Sequence, residues 1–196
     1  MVEIRLAGPA DAPACREIYA PFVRDSAITF ETELPGEAAF AERLSETLEQ
    51  HPWLVCEHDG RVLGYAYASP HRSRGAYKWA VESSVYVAEN ARRCGVAGGL
   101  YQSLFAVLER QGYRNVYAGI TVPNPPSTAL HDAMGFDRVG TYEDVGYKHG
   151  EWHDVEWWAR SLRDDDEPPS APIPIPELDS DAVASALATG TNALSL

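Results

Sequence analysis

The stretch VYVAENARRCGVAGGLYQSL, Val85 to Leu104, decides the fold. A β-branched and aromatic run ends at Val87, and a loop holding Arg92, Arg93 and Gly95 follows. Apolar residues then recur at helical spacing through Val96, Leu100, Leu104 and Leu108. A helix start exposes unpaired N–H groups and the positive end of the peptide dipoles, so a bare loop at that point can cradle an anion such as a pyrophosphate. Arg92 and Arg93 add charge, while Gly95, Ala97, Gly98 and Gly99 leave the backbone uncovered. Neither standard nucleotide fingerprint fits: no Lys-Ser/Thr pair follows the glycines, and Gly-Val-Ala-Gly-Gly misses the dinucleotide turn. By spacing alone, Gly98 and Gly99 could equally serve close packing of helix on sheet.

On the N-terminal side of this loop, VEIRLA alternates like a short strand. GPADAPACREIYAPFVRD reads as a helix that Pro21 should kink or end, and LPGEAAFAERLSETLEQH as a second helix. WLVCEHDGRVLGYAYASP is a hairpin turned by Asp59-Gly60, and YKWAVESSVYV is a long apolar strand expected at the centre of a sheet. After the loop helix come a strand NVYAGITV, a short helix STALHDAMG, and two strands in DRVGTYEDVGYKHG and WHDVEWWARSL. Beyond Leu162 the composition turns to Pro, Ser and acids. Residues 164–196 are therefore expected to form a poorly packed acidic tail, with a short helix allowed near Asp181–Ala188.

The chain has 196 residues and a net charge of −13, over half of it in that tail, which argues against a nucleic-acid or anionic-membrane partner. Acidity at this level also keeps a protein dissolved in concentrated salt, which suits a halophilic source. Cys15, Cys56 and Cys94 are odd in number and lack metal-type spacing; no signal peptide or membrane span is evident, so a cytoplasmic protein is expected. Glu82 interrupts an otherwise apolar strand, and a carboxylate there needs a facing charge, an edge position or a task that uses its basicity.

Arg92-Arg93-Cys94-Gly95-Val96-Ala97 resembles the Arg/Gln-x-x-Gly-x-Gly/Ala loop of the GNAT family of N-acetyltransferases, which binds the coenzyme A pyrophosphate. HPWLVCEHDGRVLGYAYASPHRSRGAYKWAVESSVYV, NPPSTALHDAMGF and GYKHGEWHDVEWW resemble, more narrowly, stretches of phosphinothricin and methionine sulfoximine acetyltransferases. The likeness spans roughly residues 2 to 160 and implies an α/β fold over 1–163. Its mixed, mostly antiparallel sheet would be flanked by helices and splayed between the fourth and fifth main strands.

The resemblance also implies acetyl-CoA as donor, a small-molecule amine as acceptor, direct transfer in a ternary complex, and no metal. Val85, Tyr86 and Val87 would pair with the pantetheine arm; Arg92, Arg93, Cys94, Gly95, Val96, Ala97 and Gly98 would hold the pyrophosphate, and Asn124 would anchor the arm from the far side. Pro125 and Pro126 depart from a usual helix start and could shift that anchor. Glu82 falls where these enzymes carry their general base, needed because an ammonium group cannot attack a thioester until deprotonated. His131 stands where the wider family carries the tyrosine that protonates the departing thiolate, although a histidine hydrogen-bonded on a helix flank is the structural alternative. Phe30, Arg72, Arg74, Tyr77 and Thr121 would line the acceptor pocket, guanidinium forks being suited to carboxylate and phosphinate. Arg72 replaces a lysine of the resembled pattern and His71 a tryptophan. His149 and His153 read as structural or rim residues. Trp152, Trp157 and Trp158 read as packing or as the face of a homodimer, and Cys94 has no nearby histidine or aspartate to make it a nucleophile. Other small amines, a peptide N-terminus, or a CoA-binding module without turnover are the competing functions.

Overall fold

The computed structural model describes residues 2–164 and 169–194. In chain order the elements are β1 (Val2–Leu6), α1 (Ala12–Asp25), α2 (Glu37–Leu48), β2 (Trp53–His58), β3 (Arg61–Pro70), β4 (Ala80–Val87), α3 (Val96–Gln111), β5 (Asn115–Val122), α4 (Pro125–Ala133), β6 (Asp137–Lys148), β7 (Glu151–Ser161) and α5 (Ser180–Thr191). One seven-stranded sheet runs β1-β2-β3-β4-β5-β7-β6, with β4 central and only the β4–β5 pair parallel. Asp59 and Gly60, both at positive φ, turn the β2–β3 hairpin as their sequence predicts.

Alternation along the strands sorts side chains to two faces. Trp53, Val55, Tyr65 and Tyr67 point to the α1/α2 side, where Tyr19, Val23, Phe40 and Leu44 close a first core. Leu54, Ala66, Val81, Val116 and Ala118 point to the other side and bury Val96, Leu100, Leu104 and Leu108 of α3, the stripe read from the sequence. Pro21 does not end α1: the helix runs on to Asp25, since Tyr19, Ala20 and Val23 on its buried face hold it to the sheet while Pro21 faces solvent.

The tail requires a correction. Asp165, Asp166 and Glu167 of its acidic run lie outside the described residues, but residues 173–194 are packed rather than loose. Ile175, Val183 and Ala186 bury against Val107 of α3. Ile173 N–H donates to Gln111 O, Gln111 Nε2 donates to both Gln50 O and Ile173 O, and Ile175 N–H donates to Gln50 O. Helix α5, wider than the stretch read from sequence, crosses α3 so closely that a Cβ on Gly190 would run into the Gly99 carbonyl. The Ser103 hydroxyl sits in that contact, donating to Leu187 O at 2.7 Å and accepting from Gly190 N–H at 3.1 Å. The acidic composition hid this because the buried residues are few and small.

Candidate active site

The site begins with a defect in the sheet. β4 and β5 pair only over Ala80↔Asn115, Val81↔Val116 and Glu82↔Tyr117, after which the two strands part. Along β4, Ala88 N–H donates to Leu63 O and His71 N–H to Ala80 O, so even-numbered residues turn their backbone groups to β3. Beyond the last paired residues, Val85 and Val87 therefore aim N–H and C=O into the gap, a free strand edge for an extended ligand. Tyr86, expected beside them, does not: its backbone faces β3, and its ring packs edge-on against Tyr19 and Phe22 at 4.9 and 5.1 Å.

At the end of this edge the chain turns through two left-handed residues, Arg93 (φ 64°) and Gly95 (φ 81°), into α3. Gly95 O accepts the first helical bond, from Gly99 N–H at 3.0 Å, and no side chain caps the helix. The N–H groups of Val96, Ala97 and Gly98 thus point out of the first turn without intrahelical acceptors, which fits a pyrophosphate. Val96 contributes backbone only, its side chain being buried in the core. Arg93 and Cys94 are exposed, the Cys94 thiol donating weakly to Arg92 O at 3.5 Å. Arg92 is drawn aside, its guanidinium lying 5.3 Å over the Phe22 ring.

Opposite this edge, Asn124 N-caps α4, its Oδ1 accepting from Ser127 N–H at 3.3 Å. Pro125 and Pro126 occupy the first helical positions, where a missing N–H breaks no helical bond. The prolines thus start the helix, with Asn124 as its N-cap.

Glu82 and Ser83 straddle the point where the gap opens, one on each face of the sheet. Glu82 points to the α1/α2 side with Tyr117 and Ser69, and its Oε1 lies 3.0 Å from His71 Nδ1. Ser83 points to the α3/α4 side, where its hydroxyl is 3.5 Å from Tyr101 OH. Tyr101 OH in turn lies 3.0 Å from His131 Nε2, and His131 Nδ1 lies 2.7 Å from Ser127 O. A carbonyl only accepts, so His131 carries its proton on Nδ1 and Nε2 accepts from Tyr101. Burial lowers the His131 pKa, against a smaller upward pull from Ser127 O, and burial pushes the Tyr101 hydroxyl well up. Glu82 and His131 thus stand on opposite sides of the cleft.

The acceptor-side wall is built around Glu82. Phe30 and Tyr77 are both exposed; the Phe30 ring lies against Gly146, and the Tyr77 ring meets His71 edge-on at 6.1 Å. Arg72 and Arg74 sit in the exposed connection between β3 and β4, and Thr121 lies on β5 opposite Val155. The loop carrying Phe30 is pinned by residues the sequence reading passed over. Thr29 is held by the Tyr19 hydroxyl at 2.6 Å and by buried Lys148, whose Nζ donates to Thr29 O at 2.8 Å, and Glu31 pairs with Arg43 at 2.7 Å. Glu31 Oε2 and Trp157 Nε1 are buried without a hydrogen-bond partner among the described residues. His149 and His153 each bond a backbone carbonyl, of Ser26 and Lys148. The three tryptophans separate: Trp157 faces the acceptor wall, Trp158 joins the α3-side core, and Trp152 is exposed. No helix of the described residues is long and apolar enough to cross a membrane.

A split parallel pair, an uncapped helix start at its end and a carboxylate at its mouth are arranged for acyl transfer from a thioester. A family model described as an acetyltransferase (GNAT) domain matches residues 4–157. Phosphinothricin N-acetyltransferase of Streptomyces viridochromogenes is 42% identical over 174 residues, 89% of this chain and 93% of that protein. The L-methionine sulfoximine/L-methionine sulfone acetyltransferase of Pseudomonas aeruginosa is 33% identical, covering 81% and 94%. Among solved structures, a GNAT superfamily phosphinothricin acetyltransferase from Sinorhizobium meliloti in complex with AcCoA superposes with a TM-score of 0.84 at 35% identity, over 89% of this chain and 96% of that one. The chain belongs to the GNAT family of acetyltransferases.

Proposed function

We propose that this GNAT enzyme transfers acetyl from acetyl-CoA to the primary amine of a small amino-acid-like acceptor of the phosphinothricin or methionine sulfoximine type, by direct attack within a ternary complex. The observation that carries this reading is the placement of Glu82 on one face of the splayed sheet and of His131 with Tyr101 on the other. The activities of the relatives, phosphinothricin and methionine sulfoximine/methionine sulfone acetylation, support the acceptor class.

Acetyl-CoA supplies the acyl group and a thiolate that can leave. Val85 and Val87 hold the pantetheine arm along the open strand edge, Asn124 meets it from the α4 side, and the amides from Arg93 to Gly98 take the pyrophosphate. Glu82 accepts the ammonium proton of the acceptor, directly or through one water, and frees the lone pair. A backbone N–H of the Val85–Val87 edge stabilises the charge that builds on the thioester oxygen. The thiolate departs toward the α3/α4 side, where the His131–Tyr101 pair returns a proton. Arg72 and Arg74 offer forked donors to the carboxylate or phosphinate of the acceptor, with Phe30, Tyr77 and Thr121 shaping the pocket.

The test is thiol release from acetyl-CoA with phosphinothricin, methionine sulfoximine, methionine sulfone, ordinary amino acids, a polyamine and a short peptide, at low and high salt. Turnover is expected with the first three, and Glu82→Gln should lower kcat by about 100-fold or more while acetyl-CoA binding persists. Turnover confined to the polyamine or the peptide overturns the acceptor class, and acetyl-CoA binding without any turnover returns the chain to a regulatory module.

The setting we propose is cytoplasmic and salt-rich, in line with the free cysteines and the net charge of −13. We also propose a homodimer through the β6–β7 face. β6 is an edge strand, and Val139, Tyr147 and Trp152 on this hairpin are 63%, 58% and 61% exposed. Sedimentation should give a dimer that Trp152→Glu converts to monomer; a parent that sediments as monomer refutes the pairing.

A further inference from the structure

Glu82 has a partner that the family roles do not include. His71 follows the end of β3, two residues beyond Ser69, which pairs with Glu82 across the β3–β4 ladder. Its ring stacks on Tyr117 at 4.4 Å and 17°, and is met edge-on by Trp157 at 6.0 Å and by Tyr77 at 6.1 Å. Three aromatic rings thus fix its plane, and its side chain is 14% exposed against 33% for Glu82. In that plane Nδ1 lies 3.0 Å from Glu82 Oε1. A carboxylate only accepts, so Nδ1 carries the hydrogen whether the ring is neutral or charged.

Resting on the reading of Glu82 as the base, we propose that His71 is its positioning residue. The Nδ1–H bond occupies Oε1 and fixes the carboxylate rotamer, leaving Oε2 to take the acceptor's ammonium proton. A glutamate side chain has three rotatable bonds, and freezing them before the acceptor arrives removes part of the ordering from the reacting complex. His71 keeps its own proton throughout. The proton gained by Glu82 comes from the ammonium and leaves to water after turnover.

The test combines kinetics with spectroscopy on the full chain. His71→Phe should lower kcat about 10-fold with the KM for acetyl-CoA within about twofold of the parent. His71→Asn, whose Nδ2 stands where Nδ1 does, should recover most of that loss. In a Glu82→Gln background, His71→Phe should cost nothing further, because the group it positions is gone. Nitrogen-15 spectra of labelled histidine should show His71 carrying hydrogen on Nδ1, with that signal shifting in Glu82→Ala. An unchanged rate in His71→Phe, an equal loss in the Glu82→Gln background, or hydrogen on Nε2 alone overturns the proposal. A parent-like rate in Glu82→Gln overturns instead the assignment of Glu82 as base.

Discussion

At the scale of single residues, the groups proposed for catalysis differ in what their surroundings permit. His131 is 3% exposed and both ring nitrogens are engaged, Nδ1 with Ser127 O and Nε2 with Tyr101 OH. Burial lowers its pKa, so near neutrality it is an uncharged ring with its proton aimed at a carbonyl. In the proposed reaction the departing thiolate would meet the Tyr101–His131 pair as a unit, and the Tyr101 hydroxyl is the member that also lies near Ser83 on β4. Tyr101→Phe should therefore lower kcat about as much as His131→Asn, roughly 10- to 100-fold each. The double variant should fall little further, because both act on one proton. Fully additive losses in steady-state kinetics would separate the two roles. The family resemblance singled out His131, but not Tyr101. On the helical stripe Tyr101 is one more apolar position, and only the fold brings its hydroxyl to the histidine. His71 was hidden in the same way, since its partner is eleven residues away across a strand pair.

The elements carry the next lesson, because the loop between β4 and α3 was legible while what braces it was not. A strand that stops, a glycine-rich turn into a helix and an apolar stripe are local patterns, and the structure shows each of them, the turn passing through left-handed Gly95. The brace is α5, which touches the second turn of α3 at Gly99 and Ser103 and brings Leu194 alongside Gly99. Composition could not announce that contact, since glycine and serine at a helix crossing look like any linker until the two backbones meet. Gly190→Ala should force the helices apart. It should lower stability by about 1–3 kcal/mol, the usual cost of overpacking, with a melting temperature several degrees lower and a raised KM for acetyl-CoA as the first turns of α3 shift. Gly98→Ala is the control in the same helix: a Cβ there meets nothing within 4 Å, so stability should hold or rise by up to about 1 kcal/mol. Its methyl would still crowd the amides proposed to hold the pyrophosphate. A variant that is stable yet weak for acetyl-CoA would locate the anion cradle at this turn.

Over the whole molecule, the segment that sequence composition set apart as a tail is tied to the centre, and the knot lies at residues 50 and 51. Gln50 O accepts from both Gln111 Nε2 and Ile175 N–H, while His51 stacks on Tyr113 at 5.7 Å. Burial without a charged partner pushes the His51 pKa down to about 4, from an ordinary value of 6.5. The unfolded chain thus takes up a proton on this ring as pH falls through about 6.5, while the folded chain refuses it until about 4. Stability from this group is complete above the higher value and is lost progressively as pH falls to the lower one, amounting to about 2 kcal/mol between pH 7 and pH 5. Carboxylates add their own dependence below that window, so the comparison is between parent and His51→Phe, which keeps a ring for Tyr113 but cannot titrate. Denaturant unfolding at pH 7 and pH 5 should show a smaller drop for the variant. Because the tail is anchored at the same point, proteolysis after Arg163 should quicken in the parent as pH is lowered and change less in His51→Phe. Equal slopes in the two proteins would mean that the ring finds a proton without opening the joint.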